Sequence, residues 1–337
     1  MPEAALPPAA RSAPVLALDI GGTKLAAAVV DPDGQLLVAD RLDTPQEPGV
    51  DAERLWRLLA DLGDEVLART GSPELAGVGV GCGGPMAWPE GRVSPLNIPS
   101  WRDFPLRDRL RERFPGRPVR VHNDAVCAAI GEHWRGAGCD RESMLGMVVS
   151  TGVGGGLILD GQLVDGPTGN AGHIGHVVVD PDGPACTCGG IGCLEAVARG
   201  PALAAWALER GWRPQREPTR TPPAGLSPGP PTARELADDA RAGDSIAGAA
   251  LQRAGRALGL ALASATVLCD LELVVIGGGF SQAGPLLFVA LEETLRRHTR
   301  LDFARRVRIL PAALGQQAGL VGGAALLHAG PRYWHGD

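Results

Sequence analysis

The first clear apolar block in this chain is Val15 to Ile20, closed by Gly-Gly-Thr-Lys and followed by a second apolar run, Leu25 to Val30. A Pro-Asp-Gly turn at Pro32 to Gly34 and a third segment, Gln35 to Leu42, complete a pattern of strand, glycine turn, strand. No helical period follows these glycines, which excludes the strand, glycine loop, helix order of Rossmann and Walker units. At Asp51 to Arg69 the period changes. Leu55, Leu58, Leu59, Leu62 and Val66 recur at helical spacing and predict a helix packed on a sheet, ahead of a strand at Gly77 to Val80. A strand at Val119 to Val121 then runs into HNDAVCAAIGEHW, a helical pattern reaching about Trp134, so the polar trio His122, Asn123 and Asp124 sits at a strand-to-helix junction.

From Met144 the opening pattern repeats: a strand to Val149, the glycine turn STGVGGG, and a strand at Leu157 to Leu159 with an Asp160-Gly161 turn behind it. Arg213 to Thr232 is dense in Pro, Gly and Arg without apolar periodicity, and reads as a mobile insertion or extended linker. Helices resume at Thr232 with TAREL and again over Ala247 to Cys269, before an apolar strand, Leu271 to Ile276, that ends in Gly277, Gly278 and Gly279. Gly319 to Ala329 predicts a small-residue helix against a sheet.

A length of 337 residues with 45% hydrophobic content suits two domains of an α/β protein. The net charge of -6 is spread along the chain without a Lys/Arg cluster, so neither nucleic acid nor an anionic membrane is an expected partner. The most apolar run, Ala257 to Cys269, is shorter than the roughly 20 residues a bilayer span needs. Met1 to Pro14 lacks the basic start and apolar core of a signal peptide and reads as a disordered leader. Three of the seven cysteines crowd into one segment, which favours metal ligation in a reducing compartment, and hence the cytoplasm, over a disulfide framework. Cys82, Cys127, Cys139 and Cys269 are scattered and expected to be buried apolar thiols.

That crowded segment runs from Asn170 to Glu195. It places His176, Cys186, Cys188 and Cys193 as C-x-C-x4-C with one imidazole, the donor set of a closed structural zinc site, whereas unrelated buried thiols would not share this spacing. Glycine turns after apolar strands, at Gly21-Gly22, Gly152 to Gly156 and Gly277 to Gly279, expose backbone N–H groups that can cradle phosphate oxygens, although one such turn alone is ordinary hairpin chemistry. The trio at 122–124 has two readings: a helix cap, or Asp124 as a general base with Asn123 on substrate hydroxyls and His122 a satisfied neighbour. Asn97 and Trp101, in LNIPSW, are a turn and a core aromatic on the simplest reading, and a ligand-facing Asn on the other.

These residues together resemble the ROK family of bacterial sugar kinases and related repressors, within the actin-like ATPase superfamily. The likeness rests on LDIGGTK at Leu18 to Lys24, NIPSW at Asn97 to Trp101, HNDA at His122 to Ala125, STGVGGG at Ser150 to Gly156, and GH followed by C-x-C-G-x-x-G-C-L-E at Gly175 to Glu195. It implies two actin-like (ribonuclease H-like) domains with a cleft between them: 15–136 plus about 316–337, and 137–315 with the zinc loop 176–193 and the insertion 213–232. It implies ATP and Mg²⁺, with Gly21, Gly22, Thr23 and Lys24 near the phosphates, Asp19 organising Mg²⁺, Thr151, Gly152 and Gly154 in a second phosphate loop, and Gly277 and Gly278 near the adenosine. Asn97, Asn123, Asp124, His176 and Glu195 match sugar-contacting positions, with Asp124 as base and His176 also on Zn²⁺. His173 stands where many glucokinases of the family carry Glu, leaving space for a 2-substituent as in N-acetylmannosamine kinases. The expected activity is therefore phosphoryl transfer to the 6-hydroxyl of a hexose or N-acylhexosamine by a homo-oligomer, dimer or tetramer. The competing expectation, a sugar-responsive regulator, needs a helix-turn-helix for which Met1 to Pro14 is too short. A zinc hydrolase is disfavoured because four protein ligands leave no open position.

Overall fold

The computed structural model describes residues 12–45, 50–215, 231–279 and 283–336. Most of the leader and of the Pro-rich insertion, residues 1–11 and 216–230, therefore lies outside the described residues. The chain opens with β1 (Val15–Ile20), β2 (Lys24–Val30) and β3 (Leu36–Asp43), then α1 (Ala52–Arg69), β4 (Gly77–Cys82), a small hairpin of β5 (Met86–Ala87) and β6 (Arg92–Val93), α2 (Leu106–Arg113), β7 (Val119–Asn123) and α3 (Asp124–Arg135). β8 (Met144–Val149), β9 (Val153–Leu159) and β10 (Gln162–Leu163) follow, then α4 (Leu194–Ala198), α5 (Gly200–Glu209), α6 (Ala233–Arg241), α7 (Ser245–Cys269), β11 (Leu273–Gly277), α8 (Pro285–His298), β12 (Arg308–Pro311), α9 (Ala318–His328) and α10 (Gly330–Tyr333).

Two five-stranded sheets share one order. The first runs β3-β2-β1-β4-β7 and the second β10-β9-β8-β11-β12, so each opens with a hairpin and adds two later strands beyond its first. In the first sheet β1, β4 and β7 are parallel, and β1 pairs with β2 and β2 with β3 in antiparallel register. All six residues of β4 are buried, as expected of a central strand in a covered sheet. Leu55, Leu59, Leu62 and Val66 of α1 fill one face of its core, each worth roughly 1.5–3 kcal/mol relative to exposure. Asp51 caps α1 by accepting from Arg54 N–H.

The opposite face is built by close backbone approach. A Cβ on Gly322 of α9 would lie 1.6 Å from Cys127 O of α3, and one on Gly79 of β4 would lie 1.9 Å from Gly323 O. Glycine is required because any side chain would separate the three elements. The expected small-residue helix at Gly319 to Ala329 is thus α9.

Grouped by contacts, the chain forms two units: residues up to Met147 with Gly155–Gly172 and Ala312–Asp337, and Val148–Gly154 with His173–Pro311. Residues 137–147 and 155–172, placed with the second domain by sequence, pack with the first unit. In the second unit Thr232 and Glu235 form a capping box at α6, as the TAREL motif suggests. There α7 packs on α8 through Gly255 and Gly259, whose added Cβ atoms would meet Leu287 O at 2.3 Å and Leu291 O at 2.7 Å. Cys82 and Cys127 are buried, but Cys139 is exposed just beyond α3 and Cys269 is only partly covered at the end of α7, so two scattered thiols depart from expectation. Among the described residues no helix is long and apolar enough to cross a membrane.

Candidate active site and metal centre

In the first unit, candidate residues collect where β1, β4 and β7 end. Register places Ile20 beside Cys82 and Cys82 beside Asn123, so Asp19 lies one residue inside this row and Asp124 one residue beyond it. The carboxyl ends of parallel strands are where open α/β sheets bind ligands. Burial, then the charge of Asp124, pushes the Asp19 carboxyl up to about 7; burial also raises Asp124, opposed by N–H donation from Ala125. Two carboxylates near enough for one to raise the other's proton affinity can together attract a cation.

Each has a distinct setting. Asp124 Oδ1 accepts from Ala125 N–H at 2.8 Å, while Oδ2 faces Gly83, where a Cβ would stand 3.9 Å away. A Cβ on Gly319, in the first turn of α9, would lie 2.8 Å from Asp19 Oδ2, so this glycine leaves room for the carboxylate. Gly81, Gly83 and Gly319 were not singled out from the sequence. A Gly-Gly-Pro run after β4 was the available signal for Gly83, and none existed for Gly319, 300 positions from Asp19.

The Gly21-Gly22 turn is bound into its own hairpin: Gly21 N–H donates to Lys24 O at 2.9 Å, and the Thr44 hydroxyl donates to Gly21 O at 2.8 Å. Gly21's amide is thus already engaged, and Thr23 and Lys24 are the exposed members of the motif. A Cβ on Gly22 would sit 2.4 Å from Asn97 Cβ, so Asn97 does lie against this turn. Trp101 is the core aromatic of its simpler reading, fully buried and stacked on Phe104 at 4.4 Å. The helix-cap reading of the polar trio also holds for Asn123, whose Oδ1 accepts from Ala125 N–H and Val126 N–H. His122, fully buried, donates Nε2–H to Asp165 Oδ1 at 2.9 Å and accepts Asn123 N–H at Nδ1.

In the second unit the turn after β8 is shorter than expected. Only Ser150 to Gly152 form it, Ser150 N–H donating to Gly152 O, because β9 begins at Val153. Gly154 is therefore the second residue of a strand and not part of a loop, a correction to the sequence reading. Thr151 is exposed in the turn itself. Gly278 adopts φ +83, and a Cβ there would meet Val149 O at 2.3 Å, so the turn after β11 packs on the end of β8.

Nearby, His176, Cys186, Cys188 and Cys193 place one ligand atom each within 4.8 Å of one another. Cys188 Sγ lies 3.7 Å from Cys193 Sγ and Cys186 Sγ lies 3.8 Å from His176 Nδ1. Zinc bond lengths imply tetrahedron edges of about 3.5–3.8 Å, which these two pairs match, and three thiols with one imidazole are a donor set suited to Zn²⁺. Burial and the adjacent thiols push Cys193 up to about 12, which a bound cation would reverse. The loop is shaped for the purpose: Gly189 N–H returns to Cys186 O, and Gly192, at φ +69, passes so close to Asp180 O that a Cβ would lie 1.6 Å from it.

Glu195 follows the last thiol directly. Its Oε2 accepts Val153 N–H at 2.9 Å, and Gly200 N–H donates to Ser150 O at 2.8 Å, so α4, which follows the last thiol, and the start of α5 bond the two ends of the turn after β8. His173 starts the short 3-10 turn Ile174–His176, its ring 6.2 Å from that of His176.

Residues 15–330 match the profile of the ROK family. The chain belongs to the ROK family. Among its ROK relatives, glucokinase of Thermotoga maritima is 35% identical over 93% of this chain and 96% of its own length. N-acetylmannosamine kinase of Yersinia pseudotuberculosis is 36% identical over 92% of this chain and 96% of its own length. The crystal structure of the ROK hexokinase from Thermus thermophilus superimposes with a TM-score of 0.79 at 37% identity, covering 94% of this chain and 99% of that one. The ROK glucokinase of Streptomyces griseus, solved with glucose and AMPPNP, gives a TM-score of 0.77 at 32% identity over 94% and 99%. The fold is accordingly that of the two-domain, actin-like ROK sugar kinases.

Proposed function

We propose that this chain is an ATP-dependent sugar kinase that moves the γ-phosphoryl group of ATP to the 6-hydroxyl of a hexose or N-acylhexosamine. The carrying observation is Asp124: a carboxylate on the first turn of α3, one oxygen held by Ala125 N–H and its affinity for a proton raised by burial. A base so tuned accepts the hydroxyl proton as the sugar oxygen forms its bond to γ-phosphorus and the bond to the ADP oxygen breaks, ADP leaving with the electron pair. Mg²⁺ would supply charge neutralisation at the phosphoryl oxygens, and Asp19, one residue inside the row of strand ends, is assigned to organising it. Gly22, Thr23, Lys24, Thr151, Gly152, Gly277 and Gly278 are assigned to the nucleotide. Asn97, Asn123, His173, His176 and Glu195 are assigned to the sugar.

Zn²⁺ in the His176, Cys186, Cys188, Cys193 set is structural on this reading, since all four positions are protein ligands. The relatives include a glucokinase and an N-acetylmannosamine kinase, and His173, a donor smaller in charge than Glu, supports acceptance of a 2-acylamino group. The reading is tested by sugar-dependent ADP release with glucose, N-acetylmannosamine, N-acetylglucosamine, mannose and fructose. Asp124→Asn should retain sugar binding by calorimetry while kcat falls by about 10²-fold or more. Undiminished turnover in that variant removes the base assignment, and no ADP release with any sugar removes the kinase.

A further inference from the structure

A buried polar chain behind the Asn123-Asp124 junction is absorbed by none of the roles above. Asp165 is 7% exposed, and both of its carboxylate oxygens are used: Oδ1 accepts from His122 Nε2–H at 2.9 Å and Oδ2 from His335 Nδ1–H at 2.6 Å. His122 passes the contact on, because its Nδ1 accepts Asn123 N–H at 2.8 Å. β7 is an edge strand of its sheet, so among the described residues no further strand pairs with its open side. The bond from Asn123 N–H requires Nδ1 to stay unprotonated, and Asp165 secures that tautomer by taking the proton-bearing Nε2 side. The next residue along is Asp124.

Packing holds this chain from above. The His122 ring lies 6.3 Å from Trp88, Trp88 meets Trp334 edge to face at 5.9 Å, and Gly169, at φ +69, rests so closely on Trp88 that a Cβ would lie 2.3 Å from its Cγ. Residues from 88, 122, 165–169 and 334–335 thus close over one peptide bond.

We propose that Asp165 and His335 are positioning residues that act through His122 to fix the backbone from which Asp124 projects. This rests on the reading of Asp124 as the base. A loosened junction would displace that carboxylate from the line of proton transfer, an error of the kind that costs about 10²-fold per ångström, while the contacts assigned to Asn97, His173, His176 and Glu195 stay in place. The effect belongs in kcat and not in KM.

The test measures kcat, KM for the sugar the wild type turns over, and thermal stability in Asp165→Ala, Asp165→Asn and His335→Ala, with Asp124→Asn alongside. Asp165→Ala should lower kcat about tenfold or more with sugar KM within about threefold, and Asp165→Asn, whose amide oxygen still accepts from His122, should recover most of it. His335→Ala, at the partly exposed end of the chain of bonds, should fold and lose about three- to tenfold in kcat. Wild-type kcat in His335→Ala and in whichever Asp165 variants fold, even with lowered melting temperatures, overturns the proposal. Failure of Asp165→Asn to recover activity lost in Asp165→Ala overturns it equally. Full turnover in Asp124→Asn would instead bring down the underlying reading, and so marks that failure separately.

Discussion

At the residue scale Asp19 stands out, its carboxyl raised to about 7 by burial first and Asp124 second. Its folded value lies above its unfolded one, so between about pH 4 and 7 the native state keeps a proton that the unfolded chain has released. Stability without bound metal or nucleotide must fall as pH rises through that window and stay low above it. Asp19→Asn removes the penalty: its melting temperature should match wild type near pH 4 and exceed it at pH 8, by up to an equivalent on the order of 2–4 kcal/mol. The same variant should lose turnover. A stability gap that does not widen with pH would show that Asp19 is not the strained group. The sequence made Asp19 visible because a carboxylate one residue before a strand's end, followed by two glycines, stands out. Asp165, His335 and Gly319 could not be seen this way, since each meets its partner through the fold and no spacing relates them.

Between elements, Glu195 bonds the loop that closes on Cys193 to the start of β9. Sequence matching assigned it to the sugar, and the bond to Val153 N–H adds a second task on the turn carrying Thr151 and Gly152. Glu195→Ala should therefore raise KM for ATP as well as for sugar, whereas a residue serving the sugar alone would leave the ATP value unchanged; separate titrations of the two substrates decide it. α1 was legible because one face of it is apolar at a regular period, whereas the hairpins, α7 and α9, the last buried along nearly its whole length, showed as apolar or small-residue runs. β9 was misread because three consecutive glycines suggest a turn. They are instead in a strand because the backbone of α3 lies against it: a Cβ on Gly156 would stand 3.0 Å from Val126 Cα. β12, four residues reading RILP, and α8 carried no pattern that was picked out in advance.

Across the whole molecule, the cysteine-histidine loop is the part that would depend on a bound ion under the proposed reading. Stripping it with a strong chelator should increase hydrogen exchange over 173–200 and at Ser150 to Val153, and leave protection in β1 and β4 unchanged, because those strands are secured by their own core. Uniform loss of protection would contradict a local role. Domain-scale organisation was readable from the repeated strand, glycine, strand opening, but the assignment of 137–147 and 155–172 to a unit depends on contacts that sequence order does not reveal.

The two sheets share one order, so their strands can be compared in place. The position of Asp19, fifth in β1, is taken by Val148 in β8, and Asp124, just after β7, is answered by Ala312 just after β12. The acids of the first sheet thus have no acidic counterpart at the same strand positions in the second, where Glu195 brings a carboxylate to the turn after β8 from a separate helix.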